Sequence, residues 1–248
     1  MEKLKIVYEP KGEAREYSPL AVNLRVGCEH ECRYCYGPLA FRKNRAAFHS
    51  NVKTKERALE KLEHDASALR KIGDGRQILL SFASDPYSPE EIKTGLTRQA
   101  IEILARNDLR FTVLTKGGTR ACRDFDLLER YEKCSFGTTL VLSVQHDADF
   151  WEPHAAALAD RVEAIKAANQ RGIKTWVSME PVIDPAQAIS LVKALNPVVD
   201  HWKIGKLNYN KGVSGKVDWY LFKMEITSML DCIGADYYLK KSLRDLGE

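Results

Sequence analysis

Three cysteines within eight residues, Cys28, Cys32 and Cys35, carry the plainest chemistry in this chain. Thiolates so close in sequence converge on one inorganic centre from a single loop, and Gly27 and Gly37 at its ends allow the backbone to turn tightly around it. Four thiolates complete an iron–sulfur cluster or a structural zinc site. Three leave one coordination position open, and an open position implies chemistry. The alternative is a zinc knuckle with His30 as fourth ligand, although Cys28-x-His30-x-Cys32 is cramped for a tetrahedral site. Disulfides are not expected, because six cysteines in 248 residues are sparse and three share one loop.

The pattern Cys28-x3-Cys32-x-Tyr34-Cys35 resembles the signature of radical S-adenosylmethionine (SAM) enzymes. The resemblance implies that the three cysteines hold a [4Fe–4S] cluster whose fourth iron is chelated by the amino and carboxylate groups of SAM. Reduction of such a cluster cleaves SAM to a 5′-deoxyadenosyl radical, which abstracts hydrogen from substrate. The run Asn23-Leu24-Arg25-Val26-Gly27-Cys28, the Cys35-Tyr36-Gly37 after it, and two further blocks are similar to the spore photoproduct lyase branch, often labelled DNA repair photolyase. Those blocks are Ser81-Phe82-Ala83-Ser84-Asp85-Pro86-Tyr87 and Val113-Leu114-Thr115-Lys116. By this resemblance Lys116 takes the SAM carboxylate as a point charge. Ser84 and Asp85 face its amino group, Ser143 and Gln145 its ribose, and Tyr34 its adenine. Tyr36 matches the family's tyrosine beside the third cysteine, and Tyr87 lies near enough in sequence for a tyrosyl relay. One departure stands out. Phe82 occupies the place of the lyase's hydrogen-donor cysteine, so reversal of thymine dimers is not carried over.

A length of 248 residues with 44% apolar content suits one large α/β domain. Residues 1–20, with Pro10, Gly12 and Pro19, read as a lead-in or edge hairpin, and residues 21–248 as a single domain with a helical closure at its C-terminal end. No apolar run follows the start and no stretch reaches the length of a membrane span, so a cytoplasmic protein without a membrane partner is expected. The net charge of +4 permits an anionic partner without requiring one.

The residues that could do chemistry need a scaffold, and strands alternate with helices from residue 21 onward at a repeat of about thirty residues, the mark of βαβ units. Strands are expected over residues 21–26, 77–82, 110–115, 135–144, 174–179 and 198–204. Between them, Ala58, Leu62, Ala66, Leu69 and Ile72 share a helical face ending at Gly73. Asp124 is placed to cap a short helix, Leu158, Val162 and Ile165 are expected inward on another, and Asp184-Pro185 opens a third. One amphipathic helix and a short closing element over residues 237–240 complete the chain. Six strands are too few for a closed eight-stranded barrel; the resemblance implies a partial (β/α)6 TIM-like barrel with parallel strands, open on one side.

In such barrels chemistry sits at the C-terminal ends of the strands. Cys28, Ser84 and Asp85, Lys116, Ser143 and Gln145, Glu180, and Lys203 and Lys206 stand at those ends in turn. Glu180 follows the apolar Trp176-Val177-Ser178-Met179 and points either into the barrel mouth, as a catalytic candidate, or into a salt bridge. The basic segment from Arg42 to Arg57, interleaved with Phe41, Phe48 and His49, reads either as a solvated loop or as a phosphate-contacting surface. Three functions are open: a radical SAM enzyme acting on a nucleobase in DNA or a nucleotide; one acting on a peptide, protein or small metabolite; and a non-enzymatic zinc-binding nucleic-acid module. The resemblance implies SAM and a reducing protein such as flavodoxin or ferredoxin as partners.

Overall fold

Short, largely apolar runs separated by amphipathic helices build one mostly parallel sheet in the computed structural model, which describes residues 3–208 and 210–247. Residues 1, 2 and 248, within the expected lead-in and closing segments, and residue 209 lie outside the described residues. The sheet strands are β1 (Val7–Tyr8), β2 (Leu20–Val22), β3 (Ile78–Leu80), β4 (Phe111–Thr115), β5 (Cys134–Thr139), β6 (Thr175–Val182), β7 (His201–Lys206) and β8 (Tyr237–Leu239). Their spatial order follows their chain order, and all pairings are parallel except β1 on β2. A sheet that advances one strand at a time in one direction curls as a barrel does. No ladder joins β8 back to β1 among the described residues, so the barrel is partial and open.

The principal helices are α1 (Gly37–Ala40), α2 (Arg45–Ser50), α3 (Ala58–Lys71), α4 (Leu96–Arg106), α5 (Gln145–Trp151), α6 (Leu158–Gln170), α7 (Pro185–Leu195) and α8 (Trp219–Cys232). The expected stripe of α3 buries Ala58, Leu62, Ala66 and Leu69, whereas Ile72 caps the helix and is exposed. Each such fully buried leucine contributes about 1.5–3 kcal/mol of transfer free energy. Asp184 caps α7, accepting from the Ala186 and Gln187 amides at 2.8 and 3.2 Å. Asp124 stands at the N-cap of the short helix Phe125–Leu128, but its carboxylate makes no capping bond and pairs with Arg98 and Arg123 instead.

Three strand expectations change. The first expected strand divides into β2 and a separate two-residue strand, Arg25–Val26, which pairs with Lys53–Thr54 and lifts the cysteine loop off the sheet. The fourth stops at Thr139 rather than at residue 144. Thr139 has a ladder partner in Ser178, and its carbonyl then accepts from Arg161 Nη1 at 3.0 Å; the Leu140 amide makes a last bond to the Ser178 carbonyl at 3.1 Å, and Val141 and Leu142 are buried beyond the strand. Apolar run and strand are therefore not the same length here. The closing element at 237–240 is β8, a seventh parallel strand.

The N-terminal segment does more than cover an edge. Its 3-10 turn, Gly12–Glu16, is tied to the far edge of the sheet: Lys203 Nζ donates to the Tyr17 carbonyl at 2.7 Å and Lys240 Nζ to the Glu13 carbonyl at 2.7 Å. The Lys241 amide and the Tyr238 hydroxyl both donate to Glu16. The segment thus straps the open flank between β1 and β8.

Asp65 on α3 fastens the start of that segment. Fully buried, it accepts from the backbone amides of Lys5, Ile6 and Val7 at 2.7–2.9 Å. Burial alone raises its pKa, but these three donors, with the His64 ring 3.0 Å from Oδ1, outweigh it and hold the carboxyl below its ordinary value. Asp65→Ala is expected to cost about 3 kcal/mol, because buried amides lose their acceptor, as read by denaturant unfolding. The folded pKa is depressed, so the contribution is complete above the unfolded value of about 3.9 and is lost as pH falls through the folded value. The stability gap between wild type and Asp65→Ala is therefore expected to be constant at neutral pH and to close only in acid.

Candidate active site at the barrel mouth

One cavity of about 440 Å³ opens at the C-terminal ends of the strands, and Cys28, Cys32 and Cys35 line it together. Gly27 enters the loop at φ +100°, and a Cβ there would lie 2.7 Å from the Phe48 carbonyl. At Gly37 a Cβ would strike the Phe48 ring at 2.6 Å. The loop backbone is pinned from α2: Arg45 donates to the carbonyls of Cys32 and Cys35, and His49 Nδ1 lies 2.7 Å from the Cys28 carbonyl. All three cysteine thiols are free.

Tyr34 and Tyr36 of the cysteine loop line the same cavity, and so do the expected strand-end residues Ser84, Asp85, Lys116 and Glu180. Lys116 is held between two anions in the making. Burial pushes its pKa down, but Cys32 and Glu152 more than offset this and hold the ammonium above its ordinary value. Its Nζ lies 5.5 Å from the Tyr34 ring centroid and 4.0 Å from Glu152 Oε1. Asp85 is nearly buried and its oxygens are occupied. Oδ1 accepts from Thr115 Oγ1 at 2.5 Å and the Tyr87 amide at 2.8 Å, and Oδ2 accepts from the Lys116 amide at 2.7 Å. It therefore positions the β3 and β4 loops. Glu180 satisfies both readings at once: it faces the cavity and lies 3.1 Å from Lys240 Nζ. Burial raises its pKa against the pull of Lys240.

Tyr87, Ser143 and Gln145 are not at the cavity. Tyr87 is fully buried in the core, its ring beside Arg123, and burial together with nearby Asp124 raises its pKa well above the ordinary phenol value. The chain turns at Asp85 and carries the following residues inward. Ser143 and Gln145 are exposed because β5 ends at Thr139, which takes the place on the cavity wall expected of Ser143. Gln145 instead bonds the Leu158 amide and Asp149 at the start of α5.

Glu152 and Arg161 are the principal residues that sequence reasoning missed. Both are buried, with Arg161 Nη1 2.6 Å from Glu152 Oε2, and the Tyr34 hydroxyl donates to Glu152 Oε1. Burial raises the Glu152 pKa, but Arg161 and Lys116 outweigh it, so the carboxylate is ionised. Tyr17, Thr139, Ser178 and Lys240 were likewise unforeseen on the wall; Tyr17 OH lies 2.7 Å from Ser178 Oγ, and its ring meets Phe82 edge-on.

The model of the radical SAM superfamily matches residues 22–188. The chain belongs to the radical SAM superfamily. It is 26% identical over 163 residues to an uncharacterized protein of Methanocaldococcus jannaschii, covering 65% of this chain and 60% of that one. It is 25% identical over 198 residues to an uncharacterized protein of Acidianus two-tailed virus, covering 76% and 65%. The chain thus spans less than two thirds of the length of these curated relatives. Among solved structures, Streptococcus suis SuiB bound to S-adenosylmethionine is similar in fold, with TM-score 0.67 at 12% identity over 89% of this chain and 49% of that one. A spore photoproduct lyase complexed with dinucleoside spore photoproduct has TM-score 0.65 at 15% identity, over 86% and 62%. Both share the partial-barrel architecture.

The radical SAM superfamily uses a [4Fe–4S] cluster and SAM, and the residues here fit both. Burial pushes the Cys32 thiol up to about 12 and raises Cys28 well above its ordinary value, so thiolates in this cavity need a cationic centre to balance them. The zinc-knuckle alternative fits less well. His30 Nδ1 is turned to Asp85 Oδ2 at 3.5 Å, and among the described residues no three His, Cys, Asp or Glu side chains converge to hold one ion.

Proposed function

We propose that this chain is an enzyme that abstracts hydrogen from a nucleobase-bearing substrate, with a [4Fe–4S] cluster on Cys28, Cys32 and Cys35 and SAM beside it. The observation that carries the reading is that three free cysteines and the strand-end polar groups open on one cavity. When bound and reduced, the cluster supplies the electron that cleaves SAM to the 5′-deoxyadenosyl radical. The protein's own part is binding and positioning. Lys116, charged at neutral pH, offers its ammonium to the SAM carboxylate, and the Ser84 hydroxyl is available to the amino group. Tyr34, its phenol neutral and hydrogen-bonded to Glu152, presents a fixed ring face to adenine.

Across the cavity Tyr17, Tyr36 and Phe82 provide aromatic faces, and Lys11, Lys206 and Asn208 lie on its lining. Flat rings with cations near them suit a base and its phosphate. The lyase structure bound to a dinucleoside supports the same reading. A base inside a duplex has to be flipped out to reach such a site. A peptide is the second reading, favoured by the likeness to SuiB bound to its precursor peptide SuiA. No described helix is long and apolar enough to cross a membrane, and the six free cysteines suit a reducing compartment such as the cytoplasm. Deoxyadenosine release measured with no addition, with intact or ultraviolet-irradiated oligonucleotide, and with a peptide mixture separates these substrates. Stimulation by an oligonucleotide, weakening with salt, is expected; stimulation by peptide alone would replace the nucleobase reading.

A further inference from the structure

Under the proposed function, on which this inference rests, SAM cleavage requires that the cluster first be reduced by one electron from outside the chain, and that electron needs an entry face. We propose that residues 33–45 dock an acidic one-electron carrier protein against the cluster loop. Residues 32–55 contain six cations and no carboxylate, although the whole chain carries only +4. Within that run α1 and the turn after it place two apolar side chains in solvent: Leu39 is 70% exposed and Phe41 37%. Arg42 and Lys43 flank them, both exposed, and among the described residues neither has an ion-pair partner.

The same turn reaches the cluster ligands. Arg45 bonds the carbonyls of Cys32 and Cys35, the Phe41 amide donates to the Gly37 carbonyl, and the Lys43 amide donates to the Pro38 carbonyl. Arg33, on the other side of Cys32, lies over the exposed Phe150 ring at 4.1 Å. An apolar centre with a cationic rim has the anatomy of a protein interface. A nucleic-acid face is more uniformly polar, and an aliphatic side chain as exposed as Leu39 at its centre would meet neither a base to stack on nor a phosphate. The occupant is therefore a carrier whose surface is acidic and whose redox group lies near that surface, a flavin or an iron–sulfur centre. In the transfer the carrier is oxidised by one electron and the cluster is reduced by one. No bond is made or broken and no proton is required. Charge steering makes the encounter salt-sensitive.

The test compares the cluster-loaded wild type with an Arg42→Glu, Lys43→Glu double variant, using flavodoxin as the acidic probe in calorimetric titrations at low and high salt. Wild type is expected to bind more weakly as salt rises, and the variant to bind at least about tenfold more weakly at low salt. Dithionite-driven deoxyadenosine release is expected to be equal in the two, since dithionite needs no docking face, and equal melting temperatures would exclude misfolding. Equal flavodoxin affinity in wild type and variant would overturn the docking proposal. So would a variant that keeps flavodoxin and loses only its affinity for single-stranded oligonucleotide, which would make the face a nucleic-acid surface. Absence of dithionite-driven release in wild type would count against the proposed function instead, while the flavodoxin titration would still report on docking.

Discussion

A Cys32→Ala chain is expected to emerge from anaerobic reconstitution without the iron, the sulfide and the brown colour of the wild type. Cys32 is buried in the middle of the loop, its carbonyl fixed by Arg45 and its thiol facing the cavity with Cys28 and Cys35. Two remaining thiols cannot occupy three corners of a cluster. Loss of an outer partner alone costs about 10–100-fold in metal affinity, so loss of a ligand is expected to exceed about 100-fold. Cys134→Ala serves as the control. Its thiol lies in the core, donating to the Tyr131 carbonyl at 2.9 Å and the Leu128 carbonyl at 3.3 Å, well away from the loop. Iron and sulfide per chain, measured together, decide the matter. Unchanged content in Cys32→Ala would remove that residue from the ligand set.

The largest effect on stability is expected from Glu152→Ala. The substitution leaves the Arg161 guanidinium buried without its carboxylate, the Lys116 ammonium without its ion-pair partner, and the Tyr34 hydroxyl without an acceptor. Breaking a buried ion pair from one side costs about 3–5 kcal/mol, which for a chain of this size lowers Tm by on the order of 10 °C. Arg161 keeps the Thr139 and Ala156 carbonyls at 3.0 and 2.8 Å, so it remains anchored and the damage concentrates on charge balance. The double variant Glu152→Ala, Arg161→Met is expected to lose less than the sum of the two singles. Thermal melts of the cofactor-free chain measure both. Strict additivity would show that the pair does not act as a unit.

The cysteine loop was legible because its ligands are neighbours in sequence and its glycines are demanded by the backbone. Lys116 was legible because it directly follows a strand, and Glu180 because it is the one charge closing an apolar run, although β6 continues through it to Val182. Ser143 and Gln145 were misplaced for a physical reason: Val141 and Leu142 are strand-like residues that lie beyond the end of the ladder, and β-propensity records burial as much as pairing. Tyr87 was misjudged because proximity in sequence to Asp85 says nothing about which way the chain turns after it.

Glu152 and Arg161 were invisible as a pair because they meet Tyr34 and Lys116 only through the fold. One signal for them exists. Arg161 shares the inward face of α6 with Leu158 and Ile165, and a charge on a buried stripe requires a buried partner. The role of Gly12–Glu16 as a strap across the open flank left no such mark, since its partners Lys203, Tyr238, Lys240 and Lys241 are brought to it only by the fold.

The measurement that reaches the central claim most directly is 5′-deoxyadenosine formation by the anaerobically reconstituted chain with SAM and dithionite. Deoxyadenosine accumulating in wild type, and falling to background in Cys32→Ala, is the expected result. A wild-type chain that carries a full complement of iron and sulfide yet leaves SAM intact would contradict it.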